Sequence, residues 1–470
     1  MADRPNIIWL TMESTRADHT SLHGYERDTT PELRRIAASD DGRAFSRCFS
    51  HGVWTLASSA SILSGTYPSH HDTGMESDAF PDELDTAPER LRDAGYHTAC
   101  LSPNSHLSSA TNLDRGFEQF EWLSKSSLYD VAGPRTLAKY AANLWRHSAG
   151  LTTDTAKHST GYVITDVVKR WLRSFAGDDE PFFLYAHYGD PHHAYYPPLP
   201  YHDAFTDDIE FSADEAAELA LDHHDDLNEL IARGCPFSDA EWAALLAMYD
   251  AEIAYTDELI GHVFDYATDR LDLDDTVFVV TADHGELFGE GGMLAHKVVV
   301  DDAVTHVPAV VHGLDALTDH DGELVQHADL METVLAAVGA DTDGMQGVDL
   351  RTNRREHAVL QRGWKRAKKN LDTFREFDPS FDVDAYHEGQ LHALRTAEYK
   401  YQRGEDGAEL FELPDETRDV ADDRPEVAAE LDRTLTEWLE TAGAPVSDER
   451  REGSFSDEMR DQLADLGYIE

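Results

Sequence analysis

The sequence predicts an α/β fold: a large mixed, mostly parallel sheet sandwiched by helices, with a small C-terminal antiparallel-sheet subdomain. Three observations point there. Short apolar runs alternate with segments of helical periodicity along most of the chain, and parallel strands need such crossover helices. Hydrophobic residues make up 41% of the 470, so a sizeable buried core is available. After about residue 351 the alternation yields to a basic stretch, then to further strand-like runs and a last helix.

In chain order, the apolar run Ile7-Ile8-Trp9-Leu10 predicts a first buried strand over 6–11. Helical spacing follows over 31–38, 57–63 and 86–94. Strands are expected over 98–102, 182–187, 277–281 and 309–312, with helices over 161–175, 240–267 and 330–338. Residues 203–236 are acidic with little strand signal and read as a helical insertion or lid within a first domain, 1–350. From 351 to 370 the chain turns basic and loses apolar rhythm, which suggests a boundary. Strands over 391–402 and 409–413 and a helix over 425–441 then form a second unit, 351–441. Residues 442–470 read as a poorly packed tail with a short closing helix.

Composition speaks to habitat. There are 92 Asp and Glu against 39 Lys and Arg, a net charge of −53, and only nine of the cations are lysines. In dilute buffer such a charge opposes compaction; at molar salt the Debye length falls to roughly 3 Å and the repulsion is screened. The acidic residues are dispersed rather than gathered in a tail, so the expectation is a salt-rich cytoplasm and no nucleic-acid partner. No apolar run approaches the about 20 residues of a membrane helix. The N-terminus lacks a signal-peptide pattern, and three cysteines, Cys48, Cys100 and Cys235, fit a reducing compartment. A cytoplasmic protein without a membrane segment is therefore expected.

Polar residues just past strand ends are where open α/β sheets bind ligands. Glu13 follows the first strand and can reach a cation there; taken alone it reads more readily as a capping or solvated acid. Thr55 opens the helical run Thr55-Leu56-Ala57-Ser58, where it serves equally as an N-cap or as a nucleophile favoured by the helix terminus. The strand Val277-Phe278-Val279-Val280-Thr281 leads into Asp283-His284-Gly285, offering a carboxylate and an imidazole to a metal, with Gly285 permitting a tight turn. Carboxylate with imidazole suits Zn or Mn better than an all-oxygen Ca site. Beyond the 182–187 strand stand His187, His192 and His193, of which one or two are expected to act and His193 to stand aside.

At these residues the sequence resembles the sulfatase family, a branch of the alkaline phosphatase superfamily, over about residues 6–439. The resemblance rests on Glu13 with Arg16-Ala17-Asp18-His19, Thr30-Pro31-Glu32-Leu33, Leu63-Ser64-Gly65, Asp190-Pro191-His192, Thr281-Ala282-Asp283-His284-Gly285-Glu286 and Val307-Pro308. Leu394-Arg395-Thr396 and Glu409-Leu410-Phe411-Glu412-Leu413 match the family's C-terminal small sheet. Counting back from Leu63-Ser64-Gly65 puts Thr55 where the family carries a Cys or Ser that becomes formylglycine, and Ser59 at the family's Arg. Glu13 and Ser14 replace the usual pair of aspartates. The set Glu13, Thr55, Asp283 and His284 is similar to that of Thr-nucleophile relatives, lipoteichoic acid synthase and the phosphoethanolamine transferases, which hold one Mn or Zn ion. Asn104 stands where an anion-binding Lys is common and His106 keeps the nearby His. Either His296 or Lys297 matches the family's substrate-binding His or Lys.

The resemblance implies a metal-dependent hydrolase of sulfate or phosphate esters, with one divalent cation on Glu13, Thr55, Asp283 and His284. Thr55 is then the nucleophile, with His192 and His296 stabilising charge or protonating the leaving oxygen. His106, Asn104 and Lys297 bind the substrate, a small anionic ester such as a sulfated or phosphorylated sugar. Formylglycine releases sulfate through its second hydroxyl; Thr has one, so its adduct must be cleared by water or an acceptor. Two other readings stay open: a phosphotransferase or phosphodiesterase forming phosphothreonine, against whose lipid-linked version stands the missing membrane segment, and a non-catalytic binder of anions, favoured by Ser59 and Asn104.

Overall fold

The computed structural model describes residues 4–467 apart from 153, 179, 272–274, 315, 318, 319 and 321. Its centre is a seven-stranded sheet. From edge to edge the strands are Gly42–Ala44, Ala309–His312, Thr276–Ala282, Asn6–Met12, Phe182–Tyr188, His97–Ser102 and Gln119–Trp122. The last five run parallel, and Ala309–His312 pairs antiparallel with both of its neighbours. Mostly parallel sheets are covered on both faces, which explains why Thr276–Ala282 and Phe182–Tyr188 are buried at every position. Their β-branched and aromatic residues read as continuous apolar runs for the same reason.

The flanking helices fall into two packed groups. Asp239–Arg270 packs on Gly161–Phe175, Ala213–Asp225 and Pro31–Ala37, while Thr55–Ser64 packs on His327–Ala337 and Ala87–Asp93. Asp239–Arg270 starts at a capping box, Ser238 with Glu241, which satisfies orphan amides at its first turn. All ten residues of Thr55–Ser64 are buried, so this helix belongs to the core rather than to an amphipathic surface. Among the described residues no helix is long and apolar enough to cross a membrane.

The C-terminal sheet is four-stranded and antiparallel: Ala358–Arg362, Leu391–Arg395, Tyr399–Arg403 and Ala408–Glu412. Helix Pro425–Glu440 covers it through Leu431 and Leu435, packed with Leu394, Tyr401 and Leu410. The single strand expected over 391–402 is in fact two, because Thr396 N–H bonds back to the Tyr399 carbonyl and turns the chain. The basic 351–370 stretch, expected to lack rhythm, holds strand Ala358–Arg362 and the start of helix Trp364–Phe377. Its apolar positions are few, yet Ala367, Leu371 and Phe374 fall on one buried face. The 203–236 segment contains helices Ala213–Asp225 and Leu227–Ala232.

The tail expected to pack poorly is tied down along its course. Val446 N–H bonds to the His70 carbonyl, Asp78 N–H to the Arg451 carbonyl and Ser454 N–H to the Ala110 carbonyl. Helix Asp457–Asp465 then seats Leu463, which is 2% exposed. Sequence periodicity missed this anchoring because only one residue of that helix is buried.

Candidate active site

Three parallel strands and one helix bring their ends together at one point. Met12, Tyr188 and Ala282 end neighbouring strands in register, so Glu13, His187 and Asp283 emerge side by side. Glu13 N–H donates to the Tyr188 carbonyl at 3.0 Å and Asp283 N–H to the Met12 carbonyl at 3.2 Å, which fixes both backbones. Ser14 takes φ +53, an uncommon conformation for a residue with a side chain. There its N–H meets Asp283 Oδ1 at 3.1 Å. Local strain of this kind persists only where surrounding structure imposes it.

Thr55 is not an N-cap. Trp54 holds that position in extended conformation (φ −160, ψ 160) with no side-chain cap bond, and Thr55 is the first helical residue. Its hydroxyl is thereby released from capping and points to the strand ends. Thr55 Oγ1 donates to Glu13 Oε1 at 2.9 Å and lies 3.3 Å from His284 Nε2. His284 Nδ1 donates to the Gly285 carbonyl at 2.8 Å, so its Nε2 presents a lone pair to the hydroxyl. Gly285 is needed here: a Cβ would run into the Ala303 carbonyl oxygen. Arg16 braces the same loop, donating to the Glu286 carbonyl at 3.1 Å and pairing with Glu290 at 2.6 Å.

Glu13 gathers further donors. Asn104 Nδ2 donates to Oε1 at 2.6 Å, and His187 Nε2 stands 3.3 Å from Oε2. Burial is the largest single influence and would raise the Glu13 carboxyl, but the His187 hydrogen bond and the charges of His192, His187 and His284 together bring the pKa down to about 2. At Asp283 burial prevails and raises the pKa, although the His284 and His187 rings and the Ser14 N–H oppose it. Asp283 Oδ2 has no hydrogen-bond partner among the described residues; the His284 ring is 3.6 Å away. Ligand atoms of Glu13, His187 and Asp283 all lie within 4.8 Å of one another.

The other expected residues surround this group. His192 and His296 lie beside it, with ring centroids 5.3 Å apart and His284 4.6 Å from His296. His193, expected to stand aside, is 4.1 Å from His192 by centroid. Asn104, expected to face substrate, gives its amide to Glu13 instead. His106 packs edge-on against Trp54 at 5.2 Å and against Phe455 of the tail at 5.9 Å. Lys297 is buried, its Nζ 3.2 Å from the Gly467 carbonyl and 3.5 Å from Asn228 Oδ1. Ser59, at the family's Arg position, is wholly buried.

Three participants were not singled out from sequence. His187 was visible among the three histidines, but its place opposite Glu13 follows from strand register. Glu286 sits inside the matched segment and contacts His296 Nδ1 at 3.3 Å. Arg366, on helix Trp364–Phe377, lies 4.6 Å over the Trp54 ring, and nothing local in the sequence signals that.

Comparison with known proteins agrees with this architecture. Residues 5–340 match the model of the family described as Sulfatase. The uncharacterized sulfatase YidJ of Escherichia coli (strain K12) is 22% identical over 426 residues, covering 88% of this chain and 84% of that protein. Arylsulfatase K of Bos taurus is 26% identical over 465 residues, covering 92% of this chain and 81% of its own length. Among solved structures, the phosphonate monoester hydrolase of Agrobacterium radiobacter superimposes with a TM-score of 0.70 at 20% identity, covering 93% of this chain and 96% of that one. That likeness shows the fold.

Proposed function

The chain belongs to the sulfatase family and is a hydrolase of ester bonds, and from that premise we propose that Thr55 is its nucleophile and a sulfate or phosphate ester its substrate. The observation that carries this is the Thr55 hydroxyl held between Glu13 Oε1 and His284 Nε2. The buried hydroxyl thus sits between an anionic acceptor and an imidazole nitrogen, two groups able to take its proton.

The residues fit a divalent cation. Two buried carboxylates and two imidazoles face one another, Asp283 Oδ2 has no hydrogen-bond donor among the described residues, and the Glu13, His187 and Asp283 atoms are mutually within ligand reach. Glu13, Asp283 and His284 would hold the ion, with Thr55 and His187 adjacent; the mixed donor set suits Mn or Zn, with Ca less favoured. When bound, such an ion supplies Lewis-acid stabilisation and makes the neighbouring hydroxyl more acidic.

The chain's own groups account for the rest. Thr55 Oγ1 attacks phosphorus or sulfur, its proton passing toward Glu13 Oε1, which already accepts it. The bond to the leaving oxygen breaks, and that oxygen takes up the proton that Thr55 gave to Glu13. Water then attacks the same centre, breaks the bond to Oγ1 and restores the hydroxyl. Lys297 and His106 line the site for the anionic group. His192 and His296 stabilise the charge that develops there. The second reading, transfer to an acceptor hydroxyl instead of water, is favoured by Thr at this position, since a single hydroxyl leaves the adduct intact until an attacking group arrives.

The test is turnover of p-nitrophenyl sulfate and p-nitrophenyl phosphate in molar KCl with Mn2+, Zn2+ or Ca2+. The expected result is release of p-nitrophenol by the native chain and none by Thr55→Ala, with a mass-shifted Thr55 peptide in quenched reactions. No turnover on either ester, together with no bound metal, leaves the non-catalytic reading standing.

A further inference from the structure

The tail segment 455–467 lies against two of the side chains assigned to substrate. Lys297 Nζ donates to the Gly467 carbonyl at 3.2 Å, and the Phe455 ring meets His106 edge-on, with centroids 5.9 Å apart. We propose that this segment is an autoinhibitory cap, which an anionic ester must displace from Lys297 before it can react. The inference rests on the reading of the active site given above.

The cap joins three pieces of chain that surround the strand ends. Gln462 Nε2 donates to the Pro103 carbonyl at 2.6 Å, and its Oε1 accepts from Ser105 Oγ at 2.6 Å. Those bonds tie the tail to the loop that carries Asn104. His224, on helix Ala213–Asp225, donates from Nε2 to the Asp465 carbonyl at 2.9 Å. Lys297 holds Gly467 from the third side, and a Cβ at Gly467 would lie 3.4 Å from His193 Cε1. The Gly467 carbonyl oxygen thus takes the place on the ammonium that an ester oxygen needs. It is a neutral acceptor, and an anionic oxygen makes the stronger bond to Nζ, so the exchange favours substrate.

The hold on the chain loosens beyond Ser454. Up to that residue, backbone bonds join Val446 to His70, Arg451 to Asp78 and Ser454 to Ala110. Among the described residues, no backbone–backbone bond ties 455–467 to the rest of the molecule. Helix Asp457–Asp465 has nine residues, of which Leu463 alone is buried, and a helix this short is marginal in water by itself. It is also acidic: Asp457, Glu458, Asp461 and Asp465 stand against Arg460, on a chain whose net charge is −53. Docking therefore depends on one apolar anchor and a few side-chain bonds, and a segment so held opens without unfolding the core. Tail and anion compete for Lys297, so each weakens the other by the same factor. A site open in roughly one molecule in ten binds its ligand with an apparent Kd about tenfold higher.

The test uses the full chain in molar KCl and two substitutions outside the proposed catalytic machinery. Leu463→Asp puts a charge at the apolar anchor, and Gln462→Ala removes the bonds to Pro103 and Ser105. Arg460→Ala, at an exposed position of the same helix, is the control, and thermal unfolding checks that each variant is folded. Three quantities are measured: hydrogen exchange of peptides within 455–467, the Kd of inorganic phosphate by calorimetry, and KM for p-nitrophenyl phosphate and sulfate. The expected result is faster exchange in both variants, and in the native chain once phosphate is added. Kd and KM should fall about tenfold in Leu463→Asp and stay unchanged in Arg460→Ala. Phosphate that binds more tightly to the two variants, with no turnover in any form, supports the cap and removes the nucleophile reading. Turnover with Kd and KM unmoved or raised, although exchange is faster, overturns the cap and leaves the nucleophile reading intact. Unchanged exchange in both variants also overturns the cap, since a segment held by these contacts must loosen without them. Neither phosphate binding nor turnover in any form removes both.

Discussion

At the scale of single residues, the Thr55 hydroxyl is the atom on which the proposed chemistry depends, and two replacements separate it from its methyl group. Thr55→Val keeps shape and burial but removes the oxygen that donates to Glu13 Oε1; loss of turnover on the order of 10⁴-fold or more is expected. Thr55→Ser keeps a hydroxyl at the same reach and is expected to stay within about tenfold of the native rate, the missing methyl weakening packing by about 1 kcal/mol. Steady-state kinetics on the p-nitrophenyl esters reads both, and a fully active Thr55→Val sinks the nucleophile. A different residue, His71, bears on stability. It is buried, Thr73 N–H donates to its Nδ1 at 3.0 Å and Ser61 Oγ lies 3.1 Å from its Nε2, so the folded chain needs the neutral ring. Burial, with His70 nearby, depresses its pKa from 6.5 to about 3. A depressed folded-state pKa means stability present above about pH 6.5 and lost as pH falls toward about 3, at most ~1.4 kcal/mol per unit. Urea titrations of His71→Gln should show a deficit against the native chain at pH 7 that narrows as pH is lowered toward 4. A deficit that stays constant or grows would show that protonation of this ring is not linked to folding.

At the scale of elements, the C-terminal sheet does more than close the fold. Arg362, at the end of strand Ala358–Arg362, donates from Nε to the Val298 carbonyl at 2.8 Å, and Lys400 Nζ donates to the Val300 carbonyl at 2.9 Å. Both hold the loop that carries His296 and Lys297, where Ala295 and Val298 each take φ +58. Arg362→Ala removes that brace and the bonds to the Gly389 and His387 carbonyls, at an expected cost of about 2–4 kcal/mol. Thermal unfolding should register it, and KM should rise more than kcat falls, because Lys297 is displaced while Thr55 is not; an unchanged KM argues against a substrate role for this loop. The same elements show what was legible in sequence. The strands whose ends carry Glu13, His187 and Asp283, Asn6–Met12, Phe182–Tyr188 and Thr276–Ala282, stood out because both faces are buried and the runs are unbroken. Thr55 and Asp283-His284 could be picked out by their place after a strand or before a helix. Pairing was not legible: that His187 faces Glu13, or that Asn104 turns to Glu13, depends on strand register and on a loop fold with no local code. Helix Trp364–Phe377 and the short strands escaped because their stability comes from tertiary contact rather than from periodicity.

For the molecule as a whole, the governing quantity is the charge of −53 carried by 92 acidic and 39 basic residues. Ion pairs offset part of it, as between Arg355 and Asp329 or Arg395 and Asp302, but acids outnumber cations so far that most cannot be paired. At about 0.1 M salt the Debye length is about 10 Å and neighbouring surface carboxylates repel; at about 1 M it is about 3 Å and only contacting charges interact. The unfolded chain spreads the same charge over a larger volume, so low salt favours unfolding. Raising KCl from about 0.1 to 2 M should therefore raise the unfolding midpoint steeply, and most of the gain should come below about 1 M, where the Debye length changes fastest. Sucrose at matched osmolality separates screening from solute exclusion, since it strengthens burial without screening charge. A sucrose series that stabilises as much as KCl, or a midpoint indifferent to salt, would falsify the screening account. A large response to KCl with a small one to sucrose would place the acidic surface, rather than the buried core, as the part of this chain matched to its medium.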